Sequence, residues 1–134
     1  MIIMAAVDDR NGMMFNRRRV SQDRLLRERI LNLTRGGKLW MNSYSARQFG
    51  SAEQICVSED FLAEAGEGEY CFVENTPAAP HEKSIEKVYL YKWNRRYPSD
   101  WKFDLDLSGW KLLSTEDFQG SSHEKITEEV YIRG

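Results

Sequence analysis

Several stretches of this chain carry side chains whose types and spacing suit chemistry. Arg17-Arg18-Arg19 is its one local basic cluster. Guanidinium forks match phosphate and carboxylate, so the functional reading is anion recognition; the plainer reading is a solvated loop. Asn42-Ser43-Tyr44-Ser45 follows an apolar run and opens a helix-like stretch. Strand ends that face helix N-termini are where open α/β sheets hold ligands. Trp93-Asn94-Arg95-Arg96-Tyr97-Pro98 mixes aromatics with arginine, as protein interfaces and single-stranded nucleic-acid surfaces do, although a hairpin loop anchored by its own aromatics has the same composition. His81 and His123 stand alone, neither in a ligand pair. His123-Glu124-Lys125 suits acid–base work on paper, but surface charge beside the last strand is the simpler account.

Other chemistries lack their signatures. There is no HxHxDH or HExxH, so a metal-dependent hydrolase or nuclease has no motif here. No GxSxG, GxGxxG or P-loop appears. Cys56 and Cys71 both sit in apolar runs without CxxC spacing. They read as reduced core thiols, and no metal site is expected.

The elements that must position these groups follow from pattern. A chain of 134 residues has the size of a single domain, expected over residues 1–134, and should bury roughly two-thirds of its unfolded surface. Hydrophobic residues make up 41% and charged residues 30%, a globular profile. The net charge of −2 gives no field to hold nucleic acid or an anionic membrane. The apolar start Met1–Val7 lacks a basic leader and is far too short to span a bilayer, so the expected compartment is the cytosol.

Met1–Val7 reads as a buried strand closed by the turn-prone Asp8–Gly12. Met13–Phe15 extends briefly before a basic loop, Asn16–Arg19. A helix then opens with Ser21 as its cap and Val20 with Leu25 as a hydrophobic staple. Leu26, Ile30 and Leu33 form its apolar stripe, and Gly36-Gly37 stop it. Further strands are expected at Lys38–Asn42, Gln54–Val57, Tyr70–Glu74 and Lys87–Trp93. Short helices are expected after Ser45 and from Ser58, and Asn75–Ser84 is a loop or frayed helix. Trp101–Leu107, Lys111–Ser114 and Lys125–Arg133 are strand candidates at the C-terminal end. Alternating strands and helices argue for a largely parallel sheet covered on both faces, and the helix-poor end argues for antiparallel closing strands.

That order, with its particular residues, resembles the dihydrofolate reductase family over nearly the whole chain. Ile3-Met4-Ala5-Ala6-Val7-Asp8 with Asn11-Gly12 is similar to the family's opening I-A-A-V-D-x-x-x-G. Val20-Ser21-Gln22-Asp23 is similar to its L-P-x-D/E. Lys38–Ser45 resembles V-x-M-G-R-x-T, Ile55–Ser58 resembles I-V-L-S, and Val88–Tyr91 with Ser99–Asp104 resembles V-Y-L-T followed by G-D-x-x-F-P. The implied fold is a three-layer α/β/α sandwich around a mixed, mostly parallel sheet with antiparallel C-terminal strands.

The same resemblance implies lost chemistry. Glu74-Asn75 stands where the family offers a Gly-Gly pair to the NADPH pyrophosphate. Ser43 replaces a phosphate-binding Arg, and Glu59 stands where the family often meets the cofactor's extra phosphate. A carboxylate about 4 Å from a phosphate charge costs about 4 kcal/mol at an effective dielectric near 20, roughly a thousandfold in affinity. NADPH bound in the family's manner is therefore not expected. Ala52 replaces the Arg that pairs with the folate glutamate, Arg17–Val20 replaces the lid's L-P-W, and Tyr91 replaces the Thr that supports the acid. Only Asp23 remains. The family uses an acid there to bind the pterin and assist its protonation, as a carboxyl with a raised pKa does; helix-terminus stabilisation alone also accounts for it.

The resemblance thus points to a domain without reductase activity that binds a small anionic ligand or a protein partner. The residues implied for its cleft are Ala6, Val7, Arg17, Arg18, Arg19, Asn42, Ser43, Tyr44, Ser45, Glu74, Asn75 and Tyr91. Two alternatives stand beside it. One is a divergent NAD(P)H-dependent reductase of a pterin-like substrate with Asp23 as acid. The other is nucleotide or RNA handling through Arg17–Arg19 and Arg95-Arg96.

Overall fold

A computed structural model describes residues 1–134. In chain order its elements are β1 (Ile2–Val7), β2 (Gly12–Phe15), β3 (Arg18–Arg19), α1 (Arg24–Leu33), β4 (Leu39–Met41), α2 (Ser43–Phe49) and β5 (Ile55–Val57). Then come α3 (Phe61–Glu64), β6 (Tyr70–Phe72), a 3-10 turn (Ala79–Ser84), β7 (Lys87–Lys92), β8 (Trp101–Lys102), β9 (Trp110–Phe118) and β10 (Ile126–Arg133).

The unbroken apolar run of β1 puts it at the middle of the main sheet, whose order is β5-β4-β6-β1-β7-β10-β9. A strand buried on both faces has no polar side to show. Its side chains alternate between two cores. Ile3, Ala5 and Val7 join the one that holds Phe61 and Leu62 of α3. Met4 joins the one that holds Leu26 and Ile30 of α1 and Phe49 of α2. Helices thus cover both faces and make three layers. β1 is parallel to β6 and β7, and β4 to β5 and β6. β10 runs antiparallel to both β7 and β9. The expected mixed sheet with antiparallel closing strands is what the chain forms.

Several boundaries differ from expectation, each for a physical reason. The cap of α1 is Asp23, whose carboxylate accepts from the backbone N–H of Leu25 and Leu26; Ser21 lies two residues upstream with its hydroxyl on His123. Leu33 is exposed, so the apolar stripe ends at Ile30. α2 starts earlier than expected because Asn42 caps it, accepting from Ser45 N–H at 3.0 Å. The basic stretch after Phe15 is a tight hairpin rather than a loop. Asn16 and Arg17 both take positive φ, and Phe15 pairs with Arg18, the twist a two-residue hairpin turn requires. β8 is short and joins β2 and β3 in a separate small sheet, while β9 is much longer than expected. Both thiols are free, and burial pushes the buried Cys71 up to about 12. No helix is long and apolar enough to cross a membrane.

The turn after β1 is built around Asp8. Its carboxylate accepts from the backbone N–H of Arg10, Gly12 and Tyr97. A Cβ on Gly12 would lie 2.5 Å from Ser99 Oγ and 2.9 Å from Asp8 Oδ1, so no side chain fits without shifting that turn. Gly12→Ala is expected to cost about 1–3 kcal/mol, the range for overpacking a filled site, measured as a lower urea midpoint at unchanged slope.

Candidate functional site

The C-terminal ends of the parallel strands carry a closed polar network. Glu74 follows β6 and is buried. Its carboxylate accepts from Arg19 Nε at 2.9 Å, Arg19 Nη2 at 3.2 Å and Ser45 Oγ at 2.8 Å. Arg19 reaches it from β3, with its guanidinium 4.4 Å above the Tyr44 ring, and the Tyr44 hydroxyl accepts from Arg19 N–H. Burial works against the guanidinium charge, but Glu74 outweighs it and raises the Arg19 pKa. Beside this group, Asn42 Nδ2 donates to Asn75 Oδ1 at 2.8 Å. Ser43 N–H, at the start of α2, donates to the Glu59 carboxylate at 3.0 Å. The negative groups here are therefore held by donors of the chain itself.

A second network lies at the start of α1. Asp23 is buried, and its Oδ1 accepts from Leu25, Leu26 and Ser121 backbone N–H and from Ser121 Oγ. Oδ2 accepts from Ser122 N–H at 2.8 Å and faces His123 Nδ1 at 2.9 Å. Burial alone would raise this carboxyl, but the donors from Ser121, His123, Ser122 and Leu26 hold it far below the usual carboxylate range. That is the opposite of the raised carboxyl which the reductase alternative asks for at position 23, and it agrees with the helix-terminus account of Asp23. Two oxygens offer about four lone-pair sites, and these donors saturate them.

The sequence reading of His123 as surface charge beside the last strand does not hold. His123 is buried, and its ring stacks on Trp93 with centroids 4.4 Å apart. Its Nε2 lies 2.9 Å from Ser21 Oγ and 3.1 Å from the Tyr97 hydroxyl. Because ionised Asp23 only accepts, a neutral imidazole must carry its proton on Nδ1, which leaves the Nε2 lone pair to accept from Ser21 Oγ, itself the acceptor for the Tyr97 hydroxyl. No local spacing signals this pairing, since residues 23 and 123 meet only through the tertiary fold.

Between the two networks lies a small cavity lined in part by Ala6, Ser21, Arg27, Gln48, Glu74 and Trp93. The centre of a water-sized sphere has about 20 Å³ in which to move there, room for one or two waters. Trp93 Nε1 and Gln48 Nε2 are buried without any acceptor. Arg27 forms no ion pair, and its one side-chain hydrogen bond goes to Gln22.

The structure gathers Arg19, Tyr44, Ser45 and Glu74 in one network, with Asn42 and Asn75 beside it. Ala6 and Asp23 line the cavity. Ser43 is exposed at the start of α2. Val7 is buried in the α3-side core, away from the cleft. Arg17 and Arg18 are exposed on the outer hairpin. Tyr91 is buried in the α1-side core, and its hydroxyl donates to Glu128 at 2.9 Å; burial and Glu128 both push that phenol up.

No protein family matches the sequence, and no curated protein matches it either. In structure, the chain is similar to a dihydrofolate reductase from Enterococcus faecalis complexed with NADP(H) and RAB-propyl. The TM-score is 0.73, at 12% identity, over 100% of this chain and 96% of that one. At that identity the likeness concerns the fold.

Proposed function

We propose that this chain, a dihydrofolate reductase-like α/β fold, serves as a binding domain for a small ligand with acceptor atoms, most simply a carboxylate, and not as a reductase. The observation that carries this reading is the pair of buried N–H groups without acceptors, Trp93 Nε1 and Gln48 Nε2, in one cavity wall. A buried donor left unsatisfied costs about 1–3 kcal/mol, and a ligand oxygen would recover that. Arg27, which lines the same cavity without an ion-pair partner, suits an anion, while the carboxylates of Glu74 and Asp23 there are taken up by donors of the chain. The size of the cavity supports a ligand of few atoms, because a two-ring pterin does not enter room for one or two waters.

The residues present do not suit NADPH held as that fold holds it. Glu74 brings charge and bulk where two glycines would let a pyrophosphate approach, and its carboxylate is bound to Arg19 and Ser45. Glu59 supplies the start of α2 with an anion of its own. Asp23, saturated by donors, has no lone pair to offer a pterin.

Thermal-shift titration tests this. Formate, acetate and lactate should raise the melting temperature, since a ligand at 100 times its Kd adds about 2.7 kcal/mol. Trp93→Phe and Gln48→Leu should each weaken the shift. Stabilisation by NADPH or dihydrofolate with no response to carboxylates would overturn the reading. Silence across the panel would leave a protein partner in place of a small ligand.

A further inference from the structure

We propose that Ser21, His123 and Asp23 form a nucleophilic triad that hydrolyses small acyl esters in the cavity beside α1. The inference rests on the ligand-cavity reading above and names the chemistry of that same site. Three observations carry it. Ser21 Oγ is 2.9 Å from His123 Nε2, and His123 Nδ1 is 2.9 Å from Asp23 Oδ2, hydrogen-bond lengths that suit a serine, its base and the group that orients the base. The exposure falls off in the right order: Asp23 and His123 are buried at 2% and 4%, while Ser21 is half-buried and lines the cavity. Finally, Gln48 and Trp93 line the same cavity as Ser21, and their buried Nε2 and Nε1 groups have no acceptor, so they are donors free to meet a developing oxyanion.

The neighbours of the imidazole leave its role defined. Tyr97 hydroxyl donates to Ser21 Oγ at 3.4 Å and lies 3.1 Å from Nε2, and Trp93 covers one ring face. Asp23 is the one ionised group on the ring. Its donors Ser121 and Ser122 fix the carboxylate, which in turn holds the imidazole with Nε2 toward Ser21.

The steps balance. Ser21 Oγ adds to the acyl carbon while its proton passes to Nε2. The tetrahedral adduct collapses, the bond to the alcohol oxygen breaks, and that oxygen takes the proton from Nε2. Water then adds to acyl-Ser21 with Nε2 as base, and the carboxylic acid departs as Ser21 recovers its proton. The net reaction is ester plus water to acid plus alcohol. The small cavity takes the acyl group alone, acetyl ahead of butyryl, and leaves the alcohol part outside at the half-buried Ser21.

The test uses the whole chain. A fluorophosphonate reagent should phosphonylate Ser21, located by peptide mass spectrometry, and p-nitrophenyl acetate should give a burst that p-nitrophenyl butyrate does not match. Ser21→Ala should abolish both, and His123→Gln should slow labelling by about 10²–10⁴-fold, the usual share of a general base. Because His123→Gln alters a buried site, Ser21→Cys supplies a second measure. Paired with the imidazole, the introduced thiol should be alkylated by iodoacetamide with a pH inflection well below the ordinary thiol value of about 8.5. Folded native protein that leaves Ser21 unlabelled would overturn the inference, as would an ordinary inflection for the introduced thiol. Stabilisation by acetate with no labelling of Ser21 would sink the triad and leave the binding reading standing.

Discussion

Asp23→Ala should destabilise the chain by about 3–5 kcal/mol and lower its melting temperature by roughly 10–20 °C. Loss of a helix cap alone costs about 1 kcal/mol. Here the same carboxylate also receives Ser121 and Ser122 N–H and His123, and each buried donor left without a partner adds about 1–3 kcal/mol. Relaxation of the loop from Gly120 to His123 recovers part of this sum, so the total falls below simple addition. The native protein should also show the matching pH dependence. The Asp23 carboxyl titrates lower in the folded chain than in the unfolded one, so the unfolded state takes up the proton first. The stabilisation is complete above the unfolded value of about 4 and fades as pH falls below it. Urea titrations between about pH 2 and pH 6 should show this loss in the native chain and a flatter profile in Asp23→Ala. A cost below about 1 kcal/mol would mean that Asp23 acts as a helix cap and nothing more.

Arg19→Met should be nearly as damaging, for a different reason. The Glu74 side chain is 8% exposed, and deleting its guanidinium partner strands a buried charge, a change that typically costs about 3–5 kcal/mol. Replacing both partners removes the charge as well as the pair, so Arg19→Met/Glu74→Gln should regain most of the loss. The glutamine oxygen still accepts from Ser45, and the introduced thioether side chain would lie against Tyr44 in that background. Denaturation midpoints of the two single variants and the double variant complete the cycle. If the double variant falls as far as Arg19→Met alone, the ion pair is not what the site depends on.

Much of the architecture is legible in the sequence because it rests on local pattern. The seven apolar residues Met1–Val7 have no polar face, which only a central strand tolerates. Leu26 and Ile30 set the buried side of α1, and the alternation of strands with helices gives the largely parallel sheet with antiparallel closing strands. The legible part ends where tertiary partners decide. Ser21 and Asp23 are both good caps by type, and Ser121 and Ser122, about a hundred positions away, select Asp23. β3 is hidden because its residues are arginines and its turn contains no glycine. Seven of the nine residues of β9 are exposed, so no alternation marks its length. In the site, Glu74 and Arg19 are visible as separate charges but not as a pair, and nothing around His123 announces an imidazole held between a carboxylate and a serine.

β10 comes after every other strand in chain order, yet it is not at a margin of the sheet: it sits between β7 and β9. A nascent chain on the ribosome therefore cannot complete its sheet until Ile126–Arg133 has left the exit tunnel. Until then β7 keeps one side unpaired, a surface that invites misassociation. Stop codons or frameshifts ahead of Ile126 should yield aggregation rather than a smaller working protein.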